Sequence, residues 1–289
     1  MRVAGIDVGS NSVRLLVADV EEGRVVELAA RRVATRLGGG IGQGVLGEDA
    51  VRRTMEALAG FVAAIRPFRP ERVVSAATSA VRDAANGAAF VASVRDALGL
   101  DIRVLTGDEE AAVSWRGVRA GLNLDASDVV VMDIGGGSTE FSWDGAGVLQ
   151  TASVPAGAVR LTGAALAVSG VDALLAPALA RIRGHRPRVM AGVGGTVTAA
   201  CALKLGLGEY ERGRLHGRVL ARADVDDLAG MVAALSPRDR ARLPGLDPER
   251  ADIILAGLTI MTRVMAGLGF ESLVASESGL AHGLVLTAG

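Results

Sequence analysis

A single cysteine, Cys201, and only three histidines stand in this sequence. An internal disulfide framework and a cysteine-rich zinc site are thereby excluded, and a reducing compartment is expected. His185, His216 and His282 lie far apart without ligand spacing and are read as non-metal residues. Five phenylalanines, two tryptophans and one tyrosine are too few and too scattered for a base-stacking platform. The formal net charge of −1 provides no basic field, so neither nucleic acid nor a membrane surface is expected as a partner. Any polyanion must be met by a local group of arginines. No basic segment followed by an apolar one opens the chain, so no signal peptide is expected. The most apolar helix candidate, 253–268, is broken by Arg263 and glycines and falls short of the ~20 apolar residues of a membrane span. The cytoplasm is the expected location.

What the sequence does have is a duplicated turn. Residues 129–132 are a β-branched apolar run, followed by Asp133, the glycines Gly135, Gly136 and Gly137, then Ser138, Thr139 and a second apolar stretch. Strand, side-chain-free turn, strand is an arrangement that lets backbone N–H groups approach an anion, with Asp133 placed to hold a divalent cation through water. A plain glycine hairpin has the same pattern. A second copy decides against it. Near the start Asp7, Gly9 and Ser12 fall where Asp133, Gly135 and Ser138 fall, with apolar strand residues on both sides. Two such turns in 289 residues, half of them hydrophobic, indicate two domains carrying facing half-sites.

Between and after the turns the pattern is α/β. Residues 3–6, 13–19 and 25–30 read as an antiparallel meander. The stretch 37–47 contains six glycines without a following Gly-Lys-Ser/Thr, and is read as a mobile loop rather than a nucleotide P-loop. Val51, Met55, Leu58, Val62 and Ile65 recur at helical spacing. The strand 72–77 runs into Thr78, Ser79 and Arg82, whose guanidinium either matches phosphate bidentately or is an ordinary solvated arginine, the commoner role of a lone Arg. After a strand at 102–105, Asp108, Glu109 and Glu110 crowd a helix start. Asp108 and Glu109 are read as capping residues, and Glu110 as a carboxylate able to orient a water. Residues 121–128 are polar and mark the boundary between a lobe at 1–124 and a second at 125–289, whose last helix could pack back on the first. A third glycine turn, Gly192 to Thr196 with Gly194 and Gly195, opens a helix in the manner of an anion site, although helix–sheet packing also selects glycine there.

Taken together, the stretches 5–14, 77–82, 106–111, 133–140 and 192–196 resemble the exopolyphosphatase / guanosine pentaphosphate phosphohydrolase family, within the actin, sugar-kinase and chaperone ATPase superfamily. The resemblance implies an α/β fold of two duplicated ribonuclease-H-like, actin-like ATPase lobes with a central cleft. It implies Glu110 as catalytic base, with Glu140 and Arg82 also catalytic, and Asp7, Asp133 and Glu140 arranging Mg²⁺ or Mn²⁺. Phosphate would be held by Ser10, Asn11, Arg82, Gly135, Gly136, Gly137, Ser138, Gly194, Gly195 and Thr196. The substrate implied is polyphosphate or guanosine pentaphosphate, and a homodimer is the assembly expected. Such a reaction works by positioning an in-line water and neutralising charge on the departing phosphate chain.

Two departures bear on substrate. Similar family members often carry arginines in the final turn, where this chain has Ser278 and Ala281. The helical domains of longer members are also missing, which favours short polyphosphate or the nucleotide over very long chains. An ATP-dependent small-molecule kinase and an actin-like ATP-binding regulatory module remain open as different classes on the same fold.

Overall fold

The structure, a computed structural model, describes residues 1–124, 128–164, 168–208 and 213–288. Its contacts divide the chain into two compact units, Met1–Gly121 with Ser278–Gly289, and Leu122–Glu277. Among the described residues no helix is long and apolar enough to cross a membrane.

The first unit begins with the meander β1 (Arg2–Val8), β2 (Ser12–Glu21) and β3 (Arg24–Ala34), followed by α1 (Glu48–Ile65), β4 (Arg72–Ala77), α2 (Ser79–Arg82), α3 (Gly87–Leu98), β5 (Ile102–Val104) and α4 (Gly107–Leu122). Strand order is β3-β2-β1-β4-β5, with β1, β4 and β5 parallel. Alternation along β1 assigns the two faces. Ala4, Ile6 and Val8 join Leu58, Phe61, Phe90 and Val94 of α1 and α3 in one core, while Val3 joins a second cluster on the other face. The glycine-rich stretch departs from the expected mobile loop. Residues Leu37–Gln43 form a 3₁₀ helix in which Leu37 and Gly38 are buried. The Gly38 N–H donates to the Ser10 carbonyl at 2.7 Å, and those of Thr35 and Arg36 to the Asn11 carbonyl at 3.1 and 2.9 Å. Glycine composition suggested mobility, but absence of side chains is what permits this close docking.

The second unit contains β6 (Val129–Ile134), β7 (Thr139–Gly145), β8 (Val148–Val154), α5 (Ala158–Ala164), α6 (Val168–His185), β9 (Val189–Val193), α7 (Gly195–Leu205), β10 (Val219–Ala221), α8 (Arg222–Ala233), α9 (Pro237–Arg240), α10 (Ile254–Leu268) and β11 (Ser272–Ala275). Its strand order is β10-β11-β9-β6-β7-β8, with β6, β9 and β11 parallel. Setting β10 aside, β8-β7-β6-β9-β11 repeats the order of the first sheet. The expected duplication of a ribonuclease-H-like plan is therefore present in topology as well as in sequence. The chain then returns to the first unit as α11 (Leu280–Leu286), whose Val285 packs with Val3, Leu16 and Ala18.

Candidate active site

Both units place their chemistry at the carboxyl ends of parallel strands, where open α/β sheets bind ligands. In the first unit Asp7 lies near the end of β1 beside Ala76 of β4. The turn after it is closed by the Gly9 N–H donating to the Ser12 carbonyl at 3.1 Å. Ser10 and Asn11, at the tip, are buried, and the Ser10 and Ser79 hydroxyls are 3.0 Å apart. The Asn11 carboxamide is enclosed with neither its oxygen nor its nitrogen hydrogen-bonded to any described residue. A buried amide without a partner costs about 1–3 kcal/mol.

Glu110 comes from the first turn of α4, and only 9% of its side chain is exposed. Arg82, at the end of α2, donates through Nη1 to Glu110 Oε2 at 3.1 Å and to the Leu105 carbonyl at 2.8 Å. The guanidinium expected to clamp phosphate is therefore committed, through that nitrogen, to holding the carboxylate. Its neighbour Glu109 has the expected structural role. The Thr106 N–H donates to Glu109 Oε2 at 2.9 Å while the Glu109 N–H donates to Thr106 Oγ1 at 3.2 Å, a capping box, and Arg103 pairs with the same carboxylate. These contacts, the Thr106 N–H foremost, hold the Glu109 carboxyl below its usual range against partial desolvation.

In the second unit the turn after β6 has the same closure, with the Gly135 N–H donating to the Ser138 carbonyl at 3.0 Å. Asp133 and Glu140 are cross-strand partners on β6 and β7. Glu140 is buried and accepts from the Ser153 hydroxyl at 2.8 Å. The tip is held from behind by α5. Gly135 O accepts from the Ala158 N–H at 3.0 Å, Gly136 O from those of Val159 and Arg160 at 2.8 and 3.0 Å, and Gly137 O from Arg160 Nε at 2.7 Å. A trans peptide is planar, so each carbonyl turned toward α5 turns the following N–H the other way. The N–H groups of Gly136, Gly137 and Ser138 consequently face away from α5, and none of them donates to a described backbone carbonyl. Successive N–H groups presented like this form an anion-binding nest.

The third glycine turn stands beside the second. Gly194, at φ 100°, caps α7, and a methyl group on it would lie 3.0 Å from Asp133 Oδ1. One on Gly195 would overlap the guanidinium of Arg250, and one on Gly257 would overlap Thr196. This arginine over the α7 start went unmarked in the sequence, because tertiary packing alone brings its 3₁₀ turn, Pro248–Arg250, to Gly195. Cys201 of α7 is a free, buried thiol. Burial first, and then Glu277, push its thiol up to about 12 against Arg218. The expected site residues thus fall into two sets: Asp7, Ser10, Asn11, Arg82 and Glu110 in the first unit, and Asp133, Gly135 to Ser138, Glu140, Gly194, Gly195 and Thr196 in the second.

A model of the Ppx/GppA phosphatase family matches residues 16–288. The chain belongs to the Ppx/GppA phosphatase family. Exopolyphosphatase 2 of Mycobacterium tuberculosis is 32% identical to it over 312 aligned positions, covering 99% of this chain and 98% of that protein. The crystal structure of the Aquifex aeolicus Ppx/GppA family member shares 30% identity at a TM-score of 0.83, covering 100% of this chain and 97% of that one. An exopolyphosphatase-like protein of known structure shares 30% identity at a TM-score of 0.93 with the same coverage. Membership in the Ppx/GppA family makes the protein a phosphoanhydride hydrolase with the actin-like ATPase fold of two lobes.

Proposed function

We propose that the protein is an exopolyphosphatase that removes terminal orthophosphate from inorganic polyphosphate, with Mg²⁺ as cofactor and with Glu110 orienting and deprotonating the attacking water. The observation that carries the reading is the nest at Gly136 to Ser138, formed by peptides whose carbonyls, Gly135 O to Gly137 O, are all bound from behind by α5. Donors fixed before the anion arrives need no reorganisation as charge shifts onto it, which is how preorganised sites stabilise phosphoryl transfer. The relatedness to exopolyphosphatase 2 along the full length of both chains supports the same substrate class.

The donor set fits a magnesium ion. Among the described residues no three His, Cys, Asp or Glu side chains form an all-protein cage. Mg²⁺ commonly uses one or two carboxylates, completing its shell with water and substrate phosphate, and Asp133 and Glu140, cross-strand partners in the second unit, are hard oxygen donors suited to that. When bound, the ion supplies charge neutralisation on the phosphate oxygens. The rest is the chain's own work. Water attacks the terminal phosphorus, the bond to the bridging oxygen breaks, the shortened chain leaves with that oxygen, and the water's proton passes to the Glu110 carboxylate. Arg82 fixes the carboxylate, while the nest, Ser10, Asn11, the Gly194 to Thr196 turn and Arg250 hold phosphate oxygens.

Phosphate release measured on short and long polyphosphate, guanosine pentaphosphate and ATP, with Mg²⁺ and with chelator, tests the reading. Turnover of polyphosphate that vanishes on chelation is expected. Glu110→Gln should lose about 10²–10⁴-fold in kcat while still binding the phosphate chain. Preference for guanosine pentaphosphate would change the substrate. Turnover of ATP alone, and only with an added acceptor, would mean a kinase. Near-normal rates in Glu110→Gln would remove Glu110 from the chemistry.

A further inference from the structure

We infer that Arg160 is a positioning residue of the phosphate site: through Nε it holds the Gly137–Ser138 peptide with its carbonyl turned back toward α5, and so aims the Ser138 N–H at the anion. The inference rests on the reading that the Gly135–Ser138 turn binds phosphate.

A run of three glycines lets the backbone pass close to an anion, but it does not settle which way each peptide faces, because glycine populates positive and negative φ about equally. A flipped peptide would present a carbonyl oxygen where the anion needs a donor. Something outside the turn must therefore fix all three peptides. For two of them the fixing groups are backbone N–H groups at the start of α5, donating to Gly135 O and Gly136 O, and they come with the helix whatever its side chains. The third carbonyl, Gly137 O, is held by a side chain, the Arg160 Nε at 2.7 Å. That bond is charge-assisted on the donor side, which makes it about twice as strong as a neutral one. Gly157 allows the arrangement, since a methyl group there would overlap the backbone of Gly136 and Gly137. The first unit performs the same service with backbone alone, Gly38 N–H on Ser10 O and the N–H groups of Thr35 and Arg36 on Asn11 O. Arg160 is accordingly the point where a side-chain substitution can test the clamp.

The alternative is that Arg160 acts by charge, touching the anion directly, and side-chain geometry separates the two. Glutamine carries an N–H donor at the same number of bonds from Cα as the arginine Nε. Lysine keeps the charge but has a methylene at that position, and methionine has neither donor nor charge. Orthophosphate and pyrophosphate binding by calorimetry at fixed ionic strength, with thermal unfolding alongside, is measured on the wild type and on Arg160→Gln, Arg160→Lys and Arg160→Met. The clamp predicts that Arg160→Gln binds within about threefold of wild type with an unchanged salt dependence, while the lysine and methionine variants bind about tenfold or more weakly at similar melting temperatures. Retention in Arg160→Lys with loss in Arg160→Gln overturns the proposal in favour of a charge contact. Wild-type affinity in all three, or equal loss in all three, overturns it as well. A wild type that binds neither anion instead refutes the phosphate reading of the turn.

Discussion

A buried carboxylate and the guanidinium beside it stand or fall together, and Arg82 with Glu110 is such a pair, 23% and 9% exposed at their side chains. Removing one partner strands the other charge away from water, at a cost of about 3–5 kcal/mol for a fully buried pair, and less here because the guanidinium is partly wet. Arg82→Met is therefore expected to destabilise the protein by roughly 2–4 kcal/mol in urea unfolding. Combining it with Glu110→Gln should cost clearly less than the two single changes summed, because both break one interaction. Additive losses would show that the pair does not operate as a unit, and an arginine reserved for substrate would leave stability almost unchanged. Residue by residue, the sequence singled out Glu110 as a third acid at a helix start beyond the two read as caps, and the structure buries it there. The partner of Arg82 was not legible. The two residues are 28 positions apart and meet through the side-by-side placement of β4 and β5. Arg160 and Arg250 escaped for the same reason, since neither has a local pattern and each is defined by a turn distant in sequence.

Helix starts illustrate what a sequence encodes locally. Thr106 and Glu109 satisfy backbone donors at the beginning of α4 within four residues, so their capping role could be read from spacing alone. Its pH behaviour follows from the sign of the shift. The folded-state pKa of Glu109 is lowered, so its contribution is fully present above the ordinary glutamate range and is lost as pH falls through the lower folded value. Wild type should accordingly be more stable than Glu109→Gln at neutral pH, and the two should converge in acid. A difference that persists at low pH would assign the effect to something other than the carboxylate. The 3₁₀ segment Leu37–Gln43 is the opposite case. It is held by the Ser10 carbonyl, which takes the Gly38 N–H, and by the Asn11 carbonyl, which takes the N–H groups of Thr35 and Arg36 just before it. Both carbonyls lie more than twenty residues earlier in the chain, and nothing in the segment's glycine-rich composition could announce them.

At the scale of the molecule the duplication was visible in two matched turns, and strand order repeats it, but the path of the chain has a consequence for folding that neither turn carries. The second unit, Leu122–Glu277, is one continuous segment, whereas the first needs Ser278–Gly289 from the far end. Leu280 and Leu284 of α11 pack with Ala76 and Leu105, and Val285 with Val3 and Leu16. Burying two leucines and a valine contributes on the order of 5 kcal/mol or more, comparable with the whole ~5–15 kcal/mol by which a domain is stable. α11 also lies against α4 with glycines at the crossing, since methyl groups on Gly117 and Gly283 would overlap Gly279 and Val113 of the opposing backbone. The last helix thus supports the helix that carries Glu110. A fragment spanning 122–277 is expected to unfold cooperatively by itself. A fragment spanning 1–121 should not, and should regain a sharp transition when 278–289 is joined to it through a flexible linker. In the full chain, loss of 278–289 should abolish phosphate release. Cooperative unfolding of 1–121 alone, with the amide protection of a packed β1–β2 sheet, would show that α11 covers the first unit without being needed to form it.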